Sequence, residues 1–323
     1  MQVLVTGCAG FIGSHLTEKL LDEGHQVIGI DCFIDYYSPK IKNKNMESFV
    51  DHNDFTFIEE NIINLDLKKL LGDIDYVFHQ AAQAGVRSSW GESFEIYNDN
   101  NILGTQMLLE AAKTSEVKKF VYASSSSVYG DTDQLPMKET NKLQPVSPYG
   151  VSKLAAENLC YLYYKNFQVP IIALRYFTVF GERQRPDMAF HIFIKSILKG
   201  KTLTIFGDGK QSRNFTHVED IVKANILAAE SAVEGEIFNI GGDGKRIELN
   251  ETISLMEDII GKKAQKKYQS RAKGDVRHTS ADCSRAKKML GYEPEVDFKD
   301  GLAREIKWLK KMINTGVLGK DEL

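Results

Sequence analysis

The sequence predicts an α/β protein with a doubly wound parallel sheet and a smaller C-terminal lobe. Short runs rich in Val, Ile, Tyr and Phe alternate with longer segments of helical apolar spacing through the first half of the chain. This alternation is typical of a parallel sheet covered by helices. A glycine-rich turn joins the first of these runs to the first helical segment. The 323 residues suffice for one large domain or two unequal lobes.

The predicted elements follow in order along the chain. Phe11, Leu16 and Leu20 recur at helical spacing, which predicts the first helix. Strands are predicted at residues 2–6, 26–31, 55–59, 76–79, 120–123 and 171–176, and helices at about 11–23, 101–112, from 148 onward and at 300–313. Longer polar connections begin beyond Gly181, so we divide the chain into residues 1–178 and residues 179–323. Some segments of the second part are expected to return to the first.

Composition excludes several classes of function. Lys and Arg number 41 and Asp and Glu 44, a net charge of −3, so no strong charge attracts nucleic acid or an anionic membrane. No apolar run reaches the ~18 residues that a membrane helix needs. Cys8, Cys32, Cys160 and Cys283 are scattered without a Cys-x-x-Cys pair, which argues against a disulfide framework and a zinc site. We expect no metal, no nucleic-acid or membrane partner and a cytoplasmic location.

Two further charged segments have plain interpretations. The lysine cluster at 40–44 is interpreted as solvated surface. Residues 320–323 read Lys-Asp-Glu-Leu, the ER-retention tetrapeptide. We interpret them as a charged, frayed tail, because the chain starts without the basic and apolar segments of a secretory signal.

The glycine-rich turn has the features of a dinucleotide site. Gly7, Gly10 and Gly13 form G-x-x-G-x-x-G between the first strand and the first helix. Glycines at these places allow a tight turn and close approach to a pyrophosphate, and the helix N-terminus offers N–H donors. Asp31 ends the second strand, where a carboxylate can accept both hydroxyls of a ribose. No arginine adjoins Asp31 to receive a 2′-phosphate, so the motif predicts NAD rather than NADP.

A tyrosine and a lysine lie four positions apart behind a serine run. Residues 124–127 are all serine, and Tyr149 and Lys153 follow Pro148, a residue suited to a first helical turn. That spacing places both side chains on one helix face. A tyrosine base needs its pKa lowered from ~10 towards ~7, about 4 kcal/mol of phenolate stabilisation. Lys153 and an oxidised nicotinamide ring, each contributing on the order of 3 kcal/mol at ~6 Å, would supply it.

These residues resemble the extended short-chain dehydrogenase/reductase superfamily, and specifically the nucleotide-sugar 4-epimerases. The resemblance spans nearly the whole chain and includes residues 78–87, the N-x-x-G-T segment at 101–105, and residues 174–177, 213–220, 238–242 and 274–276. It implies a Rossmann fold, a homodimer formed through helices near 101–112 and 149–166, and a transient 4-keto sugar. It also implies that Tyr149 deprotonates the sugar 4-hydroxyl, Ser125 hydrogen-bonds the same oxygen, and Lys153 holds the ribose and lowers the pKa of Tyr149.

The resemblance also assigns ligand-binding residues, with residues 1–178 as the NAD-binding domain and 179–323 mainly as the substrate domain. The cofactor set is Gly7, Gly10, Phe11, Ile12, Gly13, Asp31, Asn61, Ile62, Ala81, Ala82, Asn101, Tyr149, Lys153 and Tyr176. The substrate set is Gly85, Val86, Arg87, Ser125, Ser126, Ser127, Thr178, Arg185, Met188, Ala189, Phe190, Phe206, Arg213, Arg271 and Asp275. Arg213 and Arg271 resemble the diphosphate-binding arginines of the family. Asn61 replaces the usual Asp near the adenine, and its amide oxygen can still accept a hydrogen bond, so we expect weaker but intact adenine recognition.

Two departures from the family pattern point to the reaction and the sugar. Ser126 and Ser127 stand where related dehydratases and decarboxylases carry acidic residues, which leaves epimerisation. Thr178 replaces the usual Asn after Arg-Tyr-Phe, and with the two serines and Arg185 it would surround a C6 carboxylate. This combination resembles bacterial UDP-glucuronate 4-epimerases, which implies interconversion of UDP-glucuronate and UDP-galacturonate without decarboxylation.

Two alternatives stay open at this point. A UDP-glucose or UDP-N-acetylhexosamine 4-epimerase would use the same catalytic residues on a different sugar. A non-catalytic NAD-binding regulator would need the nucleotide motif alone, without a tyrosine of lowered pKa.

Overall fold

Seven parallel strands form the main sheet of the protein, whose computed structural model describes residues 1–316. The strands in chain order are β1 (Gln2–Thr6), β2 (Gln26–Asp31), β3 (Phe55–Glu59), β4 (Tyr76–His79), β5 (Lys119–Ser125), β6 (Ile171–Tyr176), β7 (Thr178–Phe180), β8 (Leu203–Phe206), β9 (Ser212–Arg213), β10 (Phe215–His217), β11 (Glu236–Ile240), β12 (Ile247–Glu248) and β13 (Lys266–Gln269). The order in the main sheet is β11-β6-β5-β4-β1-β2-β3. The predicted doubly wound α/β fold is confirmed, and the tetrapeptide at 320–323 lies outside the described residues.

Helices cover both faces of this sheet and build the smaller lobe. They are α1 (Phe11–Asp22), α2 (Pro39–Met46), α3 (Leu67–Leu70), α4 (Phe94–Tyr97), α5 (Gly104–Ala112), α6 (Pro148–Phe167), α7 (Ala189–Lys199), α8 (Val218–Glu230), α9 (Leu249–Ile260), α10 (Ser284–Leu290) and α11 (Phe298–Asn314). A π-helical segment, Asn98–Leu103, precedes α5, so the α-helix predicted at 101–112 begins slightly later. None of the helices in residues 1–316 has the length and apolar character needed to cross a bilayer.

Strand β11 comes from beyond residue 178 and pairs in parallel with β6, Phe238 opposite Leu174. One apolar core lies between the sheet and helices α1 and α8, a second lies under α5 and α6, and a third fills the smaller lobe between α7, α9 and α11. The division of functions at residue 178 remains a prediction.

The strand order places a crevice at the carboxyl edge of the sheet. β1 lies between β2 and β4, so the connections that leave β1 and β4 turn to opposite faces of the sheet. In such folds ligands bind at this edge, where the chain leaves the strands. The glycine turn, Asp31 and Ser125 all lie there, at the ends of β1, β2 and β5.

Candidate active site

A cavity opens at this edge of the sheet, and most of the predicted cofactor residues line it. Its walls include Gly7, Gly10, Phe11, Ile12, Gly13, Asp31, Asn61, Ile62, Ala81, Ala82, Tyr149, Lys153 and Tyr176. Asn101 lies behind the wall: its Oδ1 accepts from the Gln83 N–H at 2.7 Å and its Nδ2 donates to the Gln83 carbonyl at 3.0 Å. Gln83 itself lines the cavity, so Asn101 holds a wall residue in place.

The glycine turn leaves no room for side chains. Gly7 has φ +73°, and a Cβ there would lie 2.9 Å from the backbone of Ala81. A Cβ on Gly13 would lie 2.0 Å from the Gly7 carbonyl oxygen, because the first turn of α1 packs directly on the turn after β1. The bare backbone and the free N–H groups of the α1 N-terminus therefore fit a pyrophosphate.

Asp31 is more heavily engaged than the sequence suggested. Its carboxylate accepts from the backbone N–H of Phe33 at 2.9 Å and from the Lys42 Nζ at 2.9 Å. Lys42 is only 5 % exposed and lies 5.4 Å from the ring centroids of Phe33 and Tyr37. The interpretation of the 40–44 cluster as solvated surface was therefore wrong for Lys42. The burial of Lys42 could have been predicted, because it shares one helix face with Ile41 and Met46, and this face of α2 is buried.

Helix α6 brings the predicted tyrosine and lysine to the cavity. The helix starts because Ser147 caps it, its side chain accepting the Gly150 N–H at 3.1 Å, and because Pro148 occupies the first turn. Both Tyr149 and Lys153 line the cavity. Lys153 is 4 % exposed and donates to the Ala123 carbonyl at 2.7 Å.

The pKa of Tyr149 is raised in this structure, whereas a tyrosine that acts as a base needs a lowered pKa. Burial raises the pKa of Tyr149, while a hydrogen bond with Ser125 and the positive charge of Arg185 act to lower it. Burial also lowers the pKa of Lys153 to about 8. Without another positive charge the phenol therefore keeps its proton at neutral pH, which fits the expectation that an oxidised nicotinamide ring contributes to its ionisation.

A buried ion pair lies directly behind these groups. Arg175 and Glu157 are bonded through Nε at 2.9 Å and are each 2 % exposed in their side chains. Ser124 donates to the same carboxylate at 2.6 Å, and Tyr129 accepts from Arg175 at 2.7 Å. This network ties the end of β5 to α6 and β6, so it fixes Ser125 relative to the tyrosine helix. No local pattern in the sequence indicates this network, because its partners are far apart in the chain.

The predicted diphosphate residues gather in a second cluster, where the loop after β4 meets the smaller lobe. Arg87 donates to Asp275 Oδ2 at 2.6 Å and lies 4.3 Å over the Phe206 ring. Burial lowers the pKa of Arg213. The charges of Arg87, Arg271 and Asp275 also act on this guanidinium group. Arg213 donates to backbone carbonyls, including that of residue 276 at 2.8 Å. The cluster is rich in donors that suit phosphate.

The remaining predicted substrate residues lie on several separate elements. Gly85 and Val86 follow β4, and Ser126 and Ser127 form the turn after β5, where the Ser127 N–H donates to Ser125 Oγ at 3.1 Å. Thr178 begins β7, opposite Phe215 of β10. Met188 caps α7 and Ala189 begins it, and Arg185 lines the main cavity.

Phe190 lies elsewhere. Its ring is 3 % exposed and packs in the core of the smaller lobe, 4.8 Å from Phe215 and 5.7 Å from Phe180 between ring centroids. Other residues of the cavity wall, which no motif in the sequence marked, include Tyr36, Tyr37, Lys42 and Gln80. The loops after β2 and β4 and helix α2, which carry them, come together only in the folded chain.

The glycine cradle, the buried carboxylate and the serine, tyrosine and lysine at one sheet edge define an extended short-chain dehydrogenase/reductase. The match to a family model gives a more specific assignment. The chain belongs to the NAD dependent epimerase/dehydratase family, whose model matches residues 3–241.

Individual relatives narrow the likeness further. The chain is 47 % identical to UDP-glucuronic acid 4-epimerase from Bacillus cereus, solved in complex with UDP-glucuronic acid and NAD, with a TM-score of 0.94 over 97 % of this chain and 100 % of that one. It is 42 % identical to the UDP-glucuronate 4-epimerase of Thermodesulfobacterium geofontis, over 96 % of each chain. It is 48 % identical to an uncharacterized UDP-glucose epimerase of Bacillus subtilis, over 97 % of this chain and 99 % of that one.

Proposed function

We propose that this protein interconverts UDP-glucuronate and UDP-galacturonate by NAD-dependent 4-epimerisation. The observation that carries the proposal is the place of Arg185, which lines the same cavity as Tyr149 and whose charge acts on that phenol. A cation at this place suits a sugar that carries a carboxylate near its reacting carbon. The likeness to relatives named as UDP-glucuronate 4-epimerases supports the same substrate.

Residues of this chain would perform the proton chemistry. Bound NAD would accept a hydride from C4 of the sugar and return it to the opposite face. Tyr149 takes the proton of the 4-hydroxyl, and Ser125 donates a hydrogen bond to the same oxygen. Lys153 holds the cofactor ribose with its ammonium group, and Asp31 accepts from the hydroxyls of the other ribose. The glycine turn and the α1 N-terminus hold the pyrophosphate.

The same residues explain why the carboxylate would survive. Oxidation at C4 makes glucuronate a β-keto acid, which loses CO₂ when the C5–C6 bond aligns with the carbonyl π system. Ser126, Ser127, Thr178 and Arg185 would fix the carboxylate away from that alignment. Ser126 and Ser127 also supply no acid and base for a dehydration.

A product assay tests this proposal. The purified protein, without added NAD, is incubated with UDP-glucuronate and separately with UDP-glucose, and the products are assigned by NMR. We expect UDP-galacturonate, and Tyr149→Phe should reduce its rate by about 10²–10⁴-fold. Tyr268→Phe is the matched control, because Tyr268 is 50 % exposed on β13. Turnover of UDP-glucose alone would make the alternative epimerase correct, and NAD binding without any turnover would favour the regulator.

We also propose a homodimer formed through α5 and α6. Val151, Leu162 and Phe167 of α6 are 47–51 % exposed, and Leu103 before α5 is 40 % exposed. Such exposed apolar side chains on adjacent helices suit the burial of a second copy. Light scattering should give twice the 36.4 kDa chain mass. The free thiols of all four cysteines suit a reducing cytoplasm.

A further inference from the structure

Within the described residues, Arg185 uses only one edge of its guanidinium group for hydrogen bonds to the protein. Nε donates to Asp187 Oδ1 at 2.9 Å and Nη2 donates to Asp187 Oδ2 at 3.0 Å. Among residues 1–316, no group accepts a hydrogen bond from Nη1. A guanidinium has five N–H donors in a rigid fork, so the Nη1 end of Arg185 remains for a second acceptor. The side chain lines the cavity that also contains Tyr149.

Asp187 is in turn held by a residue from another loop. Tyr36 follows β2, and its hydroxyl donates to Asp187 Oδ2 at 3.0 Å. The same hydroxyl lies 3.3 Å from Ser88 Oγ, in the loop after β4. Burial raises the pKa of Tyr36 to about 12, so the phenol is a neutral donor at all working pH values. Tyr36 therefore connects its own loop to the loop that carries Arg185 and Asp187 and, through Ser88, to the loop after β4.

We propose that Asp187 and Tyr36 are positioning residues that orient Arg185 toward the C6 carboxylate of the substrate. This inference rests on the proposed uronate 4-epimerase function. Asp187 occupies the Nε edge and leaves the Nη1 end for the substrate, and Tyr36 prevents the Asp187 carboxylate from turning. An arginine held at one edge fixes the plane of a second carboxylate at the other. An arginine without that hold would follow the substrate carboxylate as it rotates.

The orientation of Arg185 would decide between two products of the 4-keto sugar, the epimer and the decarboxylated sugar. In the 4-keto sugar, alignment of the C5–C6 bond lets its electron pair move toward the C4 oxygen. C6 then leaves as CO₂ and C5 takes a proton from water. Loss of the Asp187 hold should let this side reaction compete. Because the Asp187 charge also repels the substrate carboxylate, its removal should not raise KM for UDP-glucuronate.

The experiment measures the ratio of decarboxylated to epimerised product. Asp187→Asn, Asp187→Glu and Tyr36→Phe are compared with wild type on UDP-glucuronate by NMR and mass spectrometry, with thermal midpoint and bound NAD as checks on folding. Asp258→Asn is the matched control, because its carboxylate is 71 % exposed and pairs only with Lys263 among the described residues. We expect the UDP-pentose fraction, including its 4-keto form, to rise about fivefold or more in Asp187→Asn. Tyr36→Phe should give a smaller rise, and Asp187→Glu should restore most of the wild-type ratio.

The outcomes separate the two levels of the proposal. If the wild-type protein converts UDP-glucuronate and the product ratio is unchanged in Asp187→Asn and Tyr36→Phe, the proposed function stands and the positioning role is wrong. Lower rates with an unchanged ratio would show a merely structural role and overturn it equally. A wild-type protein inactive on UDP-glucuronate but active on UDP-glucose overturns the proposed function together with this inference. If Asp187→Asn does not fold, Tyr36→Phe alone decides.

Discussion

Gly13→Ala should abolish retention of NAD while leaving the sheet intact. A Cβ at this position would lie 2.0 Å from the Gly7 carbonyl oxygen, and unbonded carbon and oxygen atoms stay about 3 Å or more apart. The first turn of α1 must therefore move by about 1 Å. Hydrogen bonds to a pyrophosphate that are ~2.9 Å long would stretch beyond useful range.

The expected loss follows from those bonds. A hydrogen bond to a charged group contributes about 1.5–3 kcal/mol, so loss of one or two weakens NAD binding by on the order of 100-fold or more. The assay is the bound NAD content after gel filtration, together with the rise of the thermal midpoint on addition of NAD. Gly72→Ala is the control, since a Cβ there has no heavy atom within 4 Å. Full NAD content in a folded Gly13→Ala protein would show that NAD binding does not depend on the bare backbone of this turn.

Three further predictions concern buried ionisable side chains. Glu157→Gln leaves Arg175 without its counter-charge and should lower the free energy of unfolding by about 3–5 kcal/mol, measured by urea denaturation; a loss below ~1 kcal/mol would contradict it. Asp31→Ser leaves the Lys42 ammonium alone at the ribose site and should raise the affinity for NADP relative to NAD, measured by titration; an unchanged preference would exclude Lys42 as a phosphate partner. Burial lowers the pKa of His79 to about 3, below its unfolded value near 6.5, so the unfolded chain binds the extra proton between these values. Stability should fall on acidification below pH 6.5 by up to ~1.4 kcal/mol per pH unit from this group, and His79→Gln should show a shallower slope in urea denaturation.

Local patterns in the sequence were sufficient to predict most of the main-sheet strands in residues 1–178. The bounds of β1, β2, β3, β4 and β6 match the prediction, because apolar and β-branched residues cluster in short runs between turn residues. The edges of β5 did not, since the strand continues through Ser124 and Ser125. Those serines are polar, and their extended backbone is stabilised by pairing with β6, which no local pattern reveals.

Motif spacing was enough to predict that Gly13, Asp31, Tyr149 and Lys153 share one site, and all four line the same cavity. Each stands at a strand end or near a helix start, and these places meet at one edge of the sheet in this fold. The tertiary structure alone decided the partners. It brought Lys42 onto Asp31, where the sequence indicated a solvated lysine, and it brought Tyr36 from the loop after β2 onto Asp187, the neighbour of Arg185. A local pattern reports which side of an element is buried, whereas a contact between loops depends on how several elements pack, and only the folded chain specifies that.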